Sequence, residues 1–254
     1  MADIRSPSPS TPPSPSRSPD AEIAASWDAN AAGWTALVRR GGIPSRLAGT
    51  DDAILTACAR AGARAGAHVA APRVLDVGCG EGWLARALCT RGFEVLGVDG
   101  SAYLVARARE AGGPARFEVA NYRQLREDPA LAAGPWDLVI CNFSLFGEHL
   151  DRFLAALAGR VAPGGALLVQ TVHPWPIAAA EPPYDNGWRR ETWSRFGDDL
   201  ATPMPWYFRT LGSWIALLRA AGLDIASLEE PRDPATGWPL SLLFECRRSG
   251  EERK

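Results

Sequence analysis

The chain is poor in the residues that several classes of protein need. Of its 254 residues only five are cysteine and three are histidine. No two cysteines form a Cys-x-x-Cys pair, and none lies near a histidine at the spacing of metal ligands. We therefore expect free thiols in a reducing, cytoplasmic setting and no metal site.

Long apolar runs and excess positive charge are also missing. No run approaches the roughly 18 residues of a membrane-spanning helix, and the N-terminus lacks a charged start followed by an apolar run, so we expect neither a membrane span nor a signal peptide. Lysine and arginine number 27 against 29 acidic residues, for a formal net charge of −2. The strong positive field that favours a nucleic-acid partner is therefore absent.

What remains has the composition and length of one globular domain preceded by a tail. Residues 6–19 read SPSPSTPPSPSRSP, a segment with too little apolar area to offset its ordering entropy. The sequence predicts a disordered tail over 1–20 and a single domain over 21–254. Helical periodicity predicts an N-terminal helical cap over 21–70. Residues 173–208, with six prolines and four tryptophans, are predicted to form a substrate lid.

Between these segments, short β-rich runs alternate with helical ones. Such alternation is typical of βαβ units and of a parallel sheet covered by helices on both faces, a doubly wound, Rossmann-like α/β fold. The predicted helices include 101–111, 123–131 and 148–160. The predicted strands are 73–77, 94–98, 115–119, 136–141, 166–172, 223–228 and 240–246.

The first predicted strand ends in a glycine-rich turn, DVGCGEG at residues 76–82. Ligands of open parallel sheets bind beyond the carboxyl ends of the strands, where glycine lets them approach the backbone closely. The spacing departs from the G-x-G-x-x-G of dinucleotide sites, and Asp76 and Glu81 would repel a pyrophosphate. The turn therefore favours a ligand that carries positive charge.

The second predicted strand ends in Asp99, followed by Gly100 and Ser101. An acid at this position is placed to accept hydrogen bonds from two ribose hydroxyls. Alternatively, Asp99 or Ser101 caps the following helix.

Taken together, these motifs resemble those of class I S-adenosylmethionine-dependent methyltransferases of the small-molecule type. VLDVGCGEG at 74–82 and GVDGS at 97–101 resemble the cofactor-binding signature. WDLVICNF at 136–143 resembles the fourth-strand motif, and APGG at 162–165 resembles the turn into the fifth strand. Residues 209–231 resemble small-molecule members more loosely.

The resemblance implies a seven-stranded sheet whose last strand is antiparallel, and S-adenosylmethionine as cofactor. It implies that the backbone around Cys79 passes under the methionine end of the cofactor and that Asp99 holds the ribose. Asn121 and Tyr122 stand where the family usually has an acid near the adenine amino group, and asparagine can still accept a hydrogen bond there. The implied cofactor-binding residues are Asp76, Gly78, Cys79 and Gly80 at the methionine end, Asp99, Gly100 and Ser101 at the ribose, Asn121 and Tyr122 at the adenine, and Cys141, Asn142 and Phe143 at the methyl-bearing end.

Two further candidates come from the N-terminal helical segment, which in comparable enzymes closes over the cofactor. Trp34 would supply an aromatic wall, and Arg46 a guanidinium for the cofactor carboxylate. The alternative is that Trp27 and Trp34 are simply core residues of an amphipathic helix.

A general base is needed only if the methyl acceptor loses a proton. His149, after the fourth strand, and His173, at the end of the fifth, are the candidate catalytic residues. Alternatively, His149 is a solvated helix residue and His173 a loop residue ordered by Pro174.

The acceptor class follows from what the fourth-strand motif lacks. Asn142 is not followed by the Pro-Pro-aromatic sequence of adenine-N6 enzymes, and no cysteine follows a proline, as cytosine-C5 enzymes require. We therefore expect a small-molecule acceptor and no nucleic-acid partner, while monomer and homodimer stay open. The alternative functions are a cofactor-binding regulatory protein without catalysis and an NAD-dependent oxidoreductase.

Overall fold

The computed structural model describes residues 18–65 and 71–250. Most of the predicted tail, and residues 66–70 of the predicted cap, lie outside the described residues. The tail prediction is wrong for residues 18–20, because the first helix already begins at Pro19. The Ser18 side chain accepts a hydrogen bond from the Ala21 N–H, and Pro19 occupies the first helical turn, where its fixed φ is favourable.

The described ranges contain eight α-helices and nine strands. The helices are α1 (Pro19–Arg39), α2 (Asp51–Ala65), α3 (Trp83–Cys89), α4 (Ala102–Glu110), α5 (Tyr122–Glu127), α6 (Asp151–Ala158), α7 (Pro174–Ala180) and α8 (Leu211–Ala220). The strands are β1 (Arg73–Val77), β2 (Glu94–Asp99), β3 (Arg116–Val119), β4 (Trp136–Asn142), β5 (Val161–Val172), β6 (Gly187–Glu191), β7 (Met204–Phe208), β8 (Leu223–Glu229) and β9 (Ser241–Arg248). Within the part of the chain described, no helix has both the length and the apolar character needed to cross a membrane.

Seven strands form one sheet in the order β3-β2-β1-β4-β5-β9-β8. The first five are parallel, and β9, the last strand in the chain, runs antiparallel to both of its neighbours. This arrangement confirms the predicted fold. The winding reverses between β1 and β4, so the carboxyl ends of these two strands border the crevice where such sheets bind ligands.

Each face of the sheet is covered by its own helices. α2, α3 and α4 pack on one face and α5, α6 and α8 on the other. Side chains of β4 alternate between the two cores, with Ile140 on the α2 face and Cys141 on the α6 face. The same alternation puts Asp76 and Asn142 on the α2 face, at the carboxyl edge of the sheet.

The structure corrects the predicted course of residues 173–208, which are more regular than the sequence suggested. They contain α7 and an antiparallel ribbon of β6 and β7 that pairs Gly187 with Phe208 and Glu191 with Met204. The ribbon includes Pro205, a residue that normally argues against a strand, and two-stranded ribbons tolerate it because both strands are edges.

Two predicted helices are too long. α5 ends at Glu127 rather than near residue 131, because Asp128 precedes Pro129 and adopts an extended backbone conformation. α6 begins at Asp151 rather than at Glu148. The carbonyls of Gly147 and Glu148 accept hydrogen bonds from the Arg209 side chain instead of entering a helix.

Candidate active site

The glycine-rich turn after β1 is fixed by the end of β2. The N–H groups of Gly78 and Cys79 both donate to the Val98 carbonyl, at 2.8 and 3.1 Å. The Gly80 N–H donates to Oδ2 of Asp99 at 2.9 Å. Three hydrogen bonds within the chain therefore fix the shape of the turn, and such preorganisation lowers the entropic cost of binding a ligand.

Gly78 and Gly80 need glycine for different reasons. Both have positive φ, and a Cβ on Gly78 would lie 2.3 Å from the Cβ of Ser144. Ser144 in turn donates from Oγ to the Val77 carbonyl at 2.7 Å, so the loop after β4 rests directly on the turn. A Cβ on Gly80 would meet no atom within 4 Å. The backbone at Gly80 thus borders open space.

Asp99 lies between this turn and the next helix. Its Oδ1 accepts from the Ser101 N–H at 2.8 Å while Oδ2 is bonded to Gly80. Ser101 itself is the N-cap of α4, so the capping alternative applies to Ser101 and not to Asp99. Burial, together with the charge of Asp28 on α1, raises the pKa of Asp99, although its two N–H bonds act against this. A carboxylate has about four acceptor positions, so Asp99 can still accept from hydroxyl groups.

Asp76 is 1% exposed, and its Oδ2 has no hydrogen-bond partner among the described residues. Burial, and next the charge of Asp99, raise its pKa to about 7. A buried, unpaired carboxylate is costly, and a ligand with cationic or donor groups relieves that cost.

The row of acceptors continues across the sheet from Asp76. Oδ1 of Asn142 is buried without a partner in the described structure, and so is Oε1 of Gln170, which pairs with Asn142 across β4 and β5. The Gln170 Nε2 group is occupied, because it donates to the carbonyl of Thr50 and the hydroxyl of Ser241. The carboxyl edge of the sheet therefore carries several oxygens that can accept from a ligand.

Glu81 does not belong to this row, contrary to the sequence argument. It is 1% exposed, but Arg86 and Arg39 approach its Oε2 at 2.7 and 3.4 Å. Two guanidinium groups neutralise this carboxylate, so only Asp76 and Asp99 disfavour a pyrophosphate near the turn.

Asn121 and Tyr122 lie beside the end of β2. Asn121 is the N-cap of α5. Its Cβ lies 3.7 Å from the position that a Cβ on Gly100 would take. Its Oδ1 accepts from the Gln124 N–H at 2.9 Å. The Tyr122 ring stacks on Phe153 with 4.2 Å between centroids. Their role near an adenine stays a prediction.

The residues proposed for the methyl-bearing end do not share one surface. Asn142 is half-buried on the α2 face, whereas Cys141 is fully buried in the core of the other face because strand side chains alternate. Phe143 turns away from the strand with φ of 49°, and its N–H donates to the Gln170 carbonyl at 2.8 Å. The geometry leaves Asn142 and Phe143, but not Cys141, at the edge of the crevice.

Trp34 belongs to an aromatic cluster that joins α1 to the insertion. Its ring centroid lies 5.2 Å from that of Trp27, 6.3 Å from Trp193 and 6.4 Å from Phe196. This packing favours the core alternative over contact with a cofactor.

Arg46 lies next to the glycine-rich turn. Its guanidinium stacks 4.1 Å from the ring centroid of Trp83, the first residue of α3, and forms a 2.9 Å ion pair with Asp51. Its role toward a cofactor carboxylate stays a prediction.

The two histidines differ in accessibility. His149 precedes α6, and its side chain is 86% exposed. His173 is buried, with Nε2 2.8 Å from Oε1 of Glu230 and Nδ1 accepting from the Trp175 N–H at 3.2 Å. A neutral ring with its proton on Nε2 satisfies both bonds. His173 is therefore the N-cap of α7, and the catalytic roles of both histidines stay predictions.

Helix α1 passes over this edge of the sheet. Arg39 donates to the Arg107 carbonyl of α4, and the Asp20 carboxylate lies 3.0 Å from the Cβ position of Gly147 in the loop after β4. Midway along, the Asn30 side chain donates to the Thr202 carbonyl and accepts from the N–H groups of Ala201 and Thr202. α1 thus connects α4, the loop after β4 and the insertion.

Sequence reasoning missed three residues of this region. Ser144 and Gln170 lie in apolar stretches that gave no signal beyond their polarity. Arg209 ends the aromatic run Trp206–Phe208, and a lone charge beside three aromatic residues could have marked it.

Comparison with known proteins agrees with this geometry. Residues 51–228 match a family described as "Methyltransferase domain". The chain belongs to this methyltransferase family. The match spans the glycine-rich turn, the carboxyl ends of the five parallel strands and α8.

Among curated relatives, the chain is 34% identical over 113 residues to a ubiquinone biosynthesis O-methyltransferase of Sinorhizobium medicae, which is 42% of this chain and 44% of that protein. It is 36% identical over 104 residues to a trans-aconitate 2-methyltransferase of Delftia acidovorans, covering 39% and 38%. The alignments thus span under half the length of these two family members.

Solved structures show the same fold. An S-adenosylmethionine-dependent methyltransferase from Mesorhizobium loti superimposes with a TM-score of 0.55 at 26% identity, over 71% of this chain and 92% of that one. Magnesium protoporphyrin IX methyltransferase from Synechocystis, solved with bound S-adenosylhomocysteine, gives a TM-score of 0.63 at 18% identity, over 91% and 100%.

Proposed function

We propose that the protein transfers a methyl group from S-adenosylmethionine to a small-molecule acceptor, releasing S-adenosylhomocysteine. The observation that carries this proposal is the unpaired carboxylate of Asp76 beneath an open glycine-rich turn. S-adenosylmethionine has a sulfonium, an ammonium, one carboxylate and two ribose hydroxyls but no phosphate, so its net charge is positive. Its charges suit a site rich in acceptors and poor in cations.

The described residues fit such a cofactor. Asp99 would accept from the ribose hydroxyls with the lone pairs that Gly80 and Ser101 leave free. Asp76 and the Asn142 amide oxygen would receive the positively charged methionine end, since both have buried, unpartnered oxygens.

When bound, the cofactor supplies an electrophilic methyl group on sulfur, and the chain's own contribution is mainly to orient the reactants. The turn and Ser144 fix the floor of the crevice. Helix α1 and the insertion would act as cap and lid and exclude water above it. An acceptor that must lose its proton needs a base, and His173 or His149 would have that role.

Binding and turnover test the proposal separately. We expect calorimetry to show S-adenosylmethionine and S-adenosylhomocysteine binding and no NAD binding. We also expect S-adenosylhomocysteine to form when a mixture of small metabolites is added. Tight NAD binding alone would identify an oxidoreductase, and cofactor binding without turnover of any acceptor would identify a regulatory protein.

The acceptor is proposed only as a small molecule. The two curated relatives are named for different reactions, a ubiquinone-pathway O-methylation and the methylation of trans-aconitate. A cytoplasmic location and a monomer or homodimer are proposed with it, without a nucleic-acid partner.

A further inference from the structure

Arg209, between β7 and α8, has an unusual environment for a charged residue. It is 4% exposed, and none of the described carboxylates forms an ion pair with it. Its Nη1 group is buried and has no hydrogen-bond partner in the described structure. Burial lowers its pKa to about 10, although the nearby Tyr207 and Glu148 act in the opposite direction. A buried guanidinium without a counter-ion is costly unless a ligand completes it.

A second buried arginine shows what a purely structural guanidinium looks like in this fold. Arg160 is 9% exposed, its Nε is buried without a partner, and it forms no ion pair with the described carboxylates. Its Nη1 donates to the Ala156 carbonyl and its Nη2 to the carbonyls of Leu125, Asp128 and Leu131. Both terminal nitrogens are therefore occupied. Arg209 uses only Nη2, which donates to the carbonyls of Gly147 and Glu148.

Arg209 is also close to the crevice. Its Nη2 bonds to the Gly147 carbonyl, and Gly147 lies three residues, at most about 11 Å between Cα atoms, after Ser144, whose side chain rests on the glycine-rich turn. The rings of Tyr207 and Trp214 flank the guanidinium, with centroids 4.8 and 5.1 Å from its central carbon. They shield its charge from water on two sides.

The insertion holds a cavity of about 370 Å³, which is walled by residues 181–183 and 185–190 and is linked through Asn186 to the residue after Arg209. Asn186 in its wall accepts from the N–H of Thr210, the next residue in the chain, at 3.0 Å. Trp188, also in the wall, donates from Nε1 to Oε2 of Glu148 at 3.2 Å. The Glu148 carboxylate thus bonds to Trp188, and no ion pair joins it to Arg209 in the described structure.

We propose that Arg209 binds a carboxylate group of the methyl acceptor, which makes the acceptor a small carboxylic acid. A planar carboxylate matches the donor geometry of a guanidinium, and the flanking rings suit the flat group between them. The inference rests on the proposed methyl transfer, since it concerns the second substrate of the same crevice.

The test compares carboxylic acids with their uncharged amides. Binding to the full chain is measured by thermal shift and calorimetry, with and without saturating S-adenosylhomocysteine. The probes are a panel of hydroxybenzoic acids and aliphatic di- and tricarboxylic acids, each paired with its amide. We expect at least one acid to bind the wild type ten-fold or more tightly than its amide. If no acid is preferred over its amide, the proposal is wrong.

Three variants test whether Arg209 causes the preference for acids over amides. Arg209→Gln should abolish the preference for the acid and leave S-adenosylhomocysteine affinity unchanged, and Arg209→Lys should keep part of it. Arg152→Gln, which removes an exposed charge from α6, is the matched control and should keep all of it. An equal loss of acid and amide binding in Arg209→Gln would mean that the residue only clamps the loop, and would overturn the proposal. If Arg209→Gln does not fold, Arg209→Lys is the test: a reduced preference for the acid supports the proposal, and an unchanged preference contradicts it.

The outcomes separate this inference from the proposed function. If S-adenosylhomocysteine does not bind the wild type, the proposed methyl transfer fails. The preference for acids over amides is also measured without S-adenosylhomocysteine, so this measurement tests the role of Arg209 independently of the proposed methyl transfer.

Discussion

Two buried carboxylates on the α2 face of the sheet have opposite surroundings. Glu245 in β9 is 3% exposed and forms ion pairs with Arg60 and Arg64 of α2. Asp76 in β1 is 1% exposed and has an unpartnered oxygen. Yet α2 also covers Asp76, since burial, and next the charge of Asp76, raise the pKa of the α2 residue Cys58. The fold thus balances charge at Glu245 with its own arginines and leaves the charge at Asp76 for a ligand.

The largest effect is expected at Asp76. Its pKa is raised from 3.8 to about 7, so the folded state binds a proton that the unfolded state releases above pH 4. Stability from this group is present below pH 4 and lost as the pH rises through 7, by up to about 4 kcal/mol. We expect Asp76→Asn to be more stable than the wild type at pH 8 in urea unfolding, with the difference vanishing near pH 4.

The same variant gives a second, functional readout. Affinity of the wild type for S-adenosylmethionine should rise as the pH increases through 7, because deprotonated Asp76 attracts the cationic cofactor. Affinity of Asp76→Asn should be lower and nearly flat with pH. Parallel stability curves for the two proteins would mean that Asp76 is not protonated in the folded state.

The paired carboxylate should behave in the opposite way. Glu245→Gln leaves Arg64 without its carboxylate partner, while Arg60 keeps its ion pair with Glu229. The substitution should lower the free energy of unfolding by about 2 kcal/mol, because both arginines remain more than one-third exposed and partly hydrated. Cofactor affinity should not change. Glu110→Gln, which breaks an exposed pair with Arg107, is the control and should alter stability by less than about 0.5 kcal/mol. A loss of cofactor affinity in Glu245→Gln would remove the contrast with Asp76.

Asp99 is the second acid near the turn that is proposed to bind the cofactor. Asp99→Ala should weaken cofactor binding by roughly 1–3 kcal/mol, since ribose hydroxyls would lose their acceptor. Calorimetry measures this against Glu94→Ala, which removes an exposed acid at the other end of the same strand. Equal affinities would assign Asp99 to holding the turn alone.

The smallest effect is expected at His173, whose carboxylate partner Glu230 is half-exposed. His173→Ala should lower stability by about 1 kcal/mol through loss of the α7 cap, and His173→Asn should restore most of it. A fall in kcat in both variants, with stability kept in His173→Asn, would identify His173 as a base.

The sequence was sufficient for the sheet and for the position of the glycine-rich turn, because both depend on local patterns. The run ending at Asp76 and the glycines after it predict a strand, a turn and a site within ten residues. Arg39, one of the two partners of Glu81, and Glu230, the partner of His173, lie 42 and 57 residues away, and no local pattern encodes such contacts. Cys141 shows a different limit, since the motif gave its position but not which face of β4 it takes. The sequence could mark Arg209 as a charge beside three aromatic residues, but only the structure shows that it is buried without an ion pair among the described carboxylates.

The side chain of Asn30 has a consequence for how reactants reach the crevice. Its amide donates to the Thr202 carbonyl and accepts from the N–H groups of Ala201 and Thr202, so the middle of α1 is joined to the segment before β7. Neither can swing outward alone without breaking three hydrogen bonds. Any opening of the proposed cap would therefore move the adjoining part of the insertion with it.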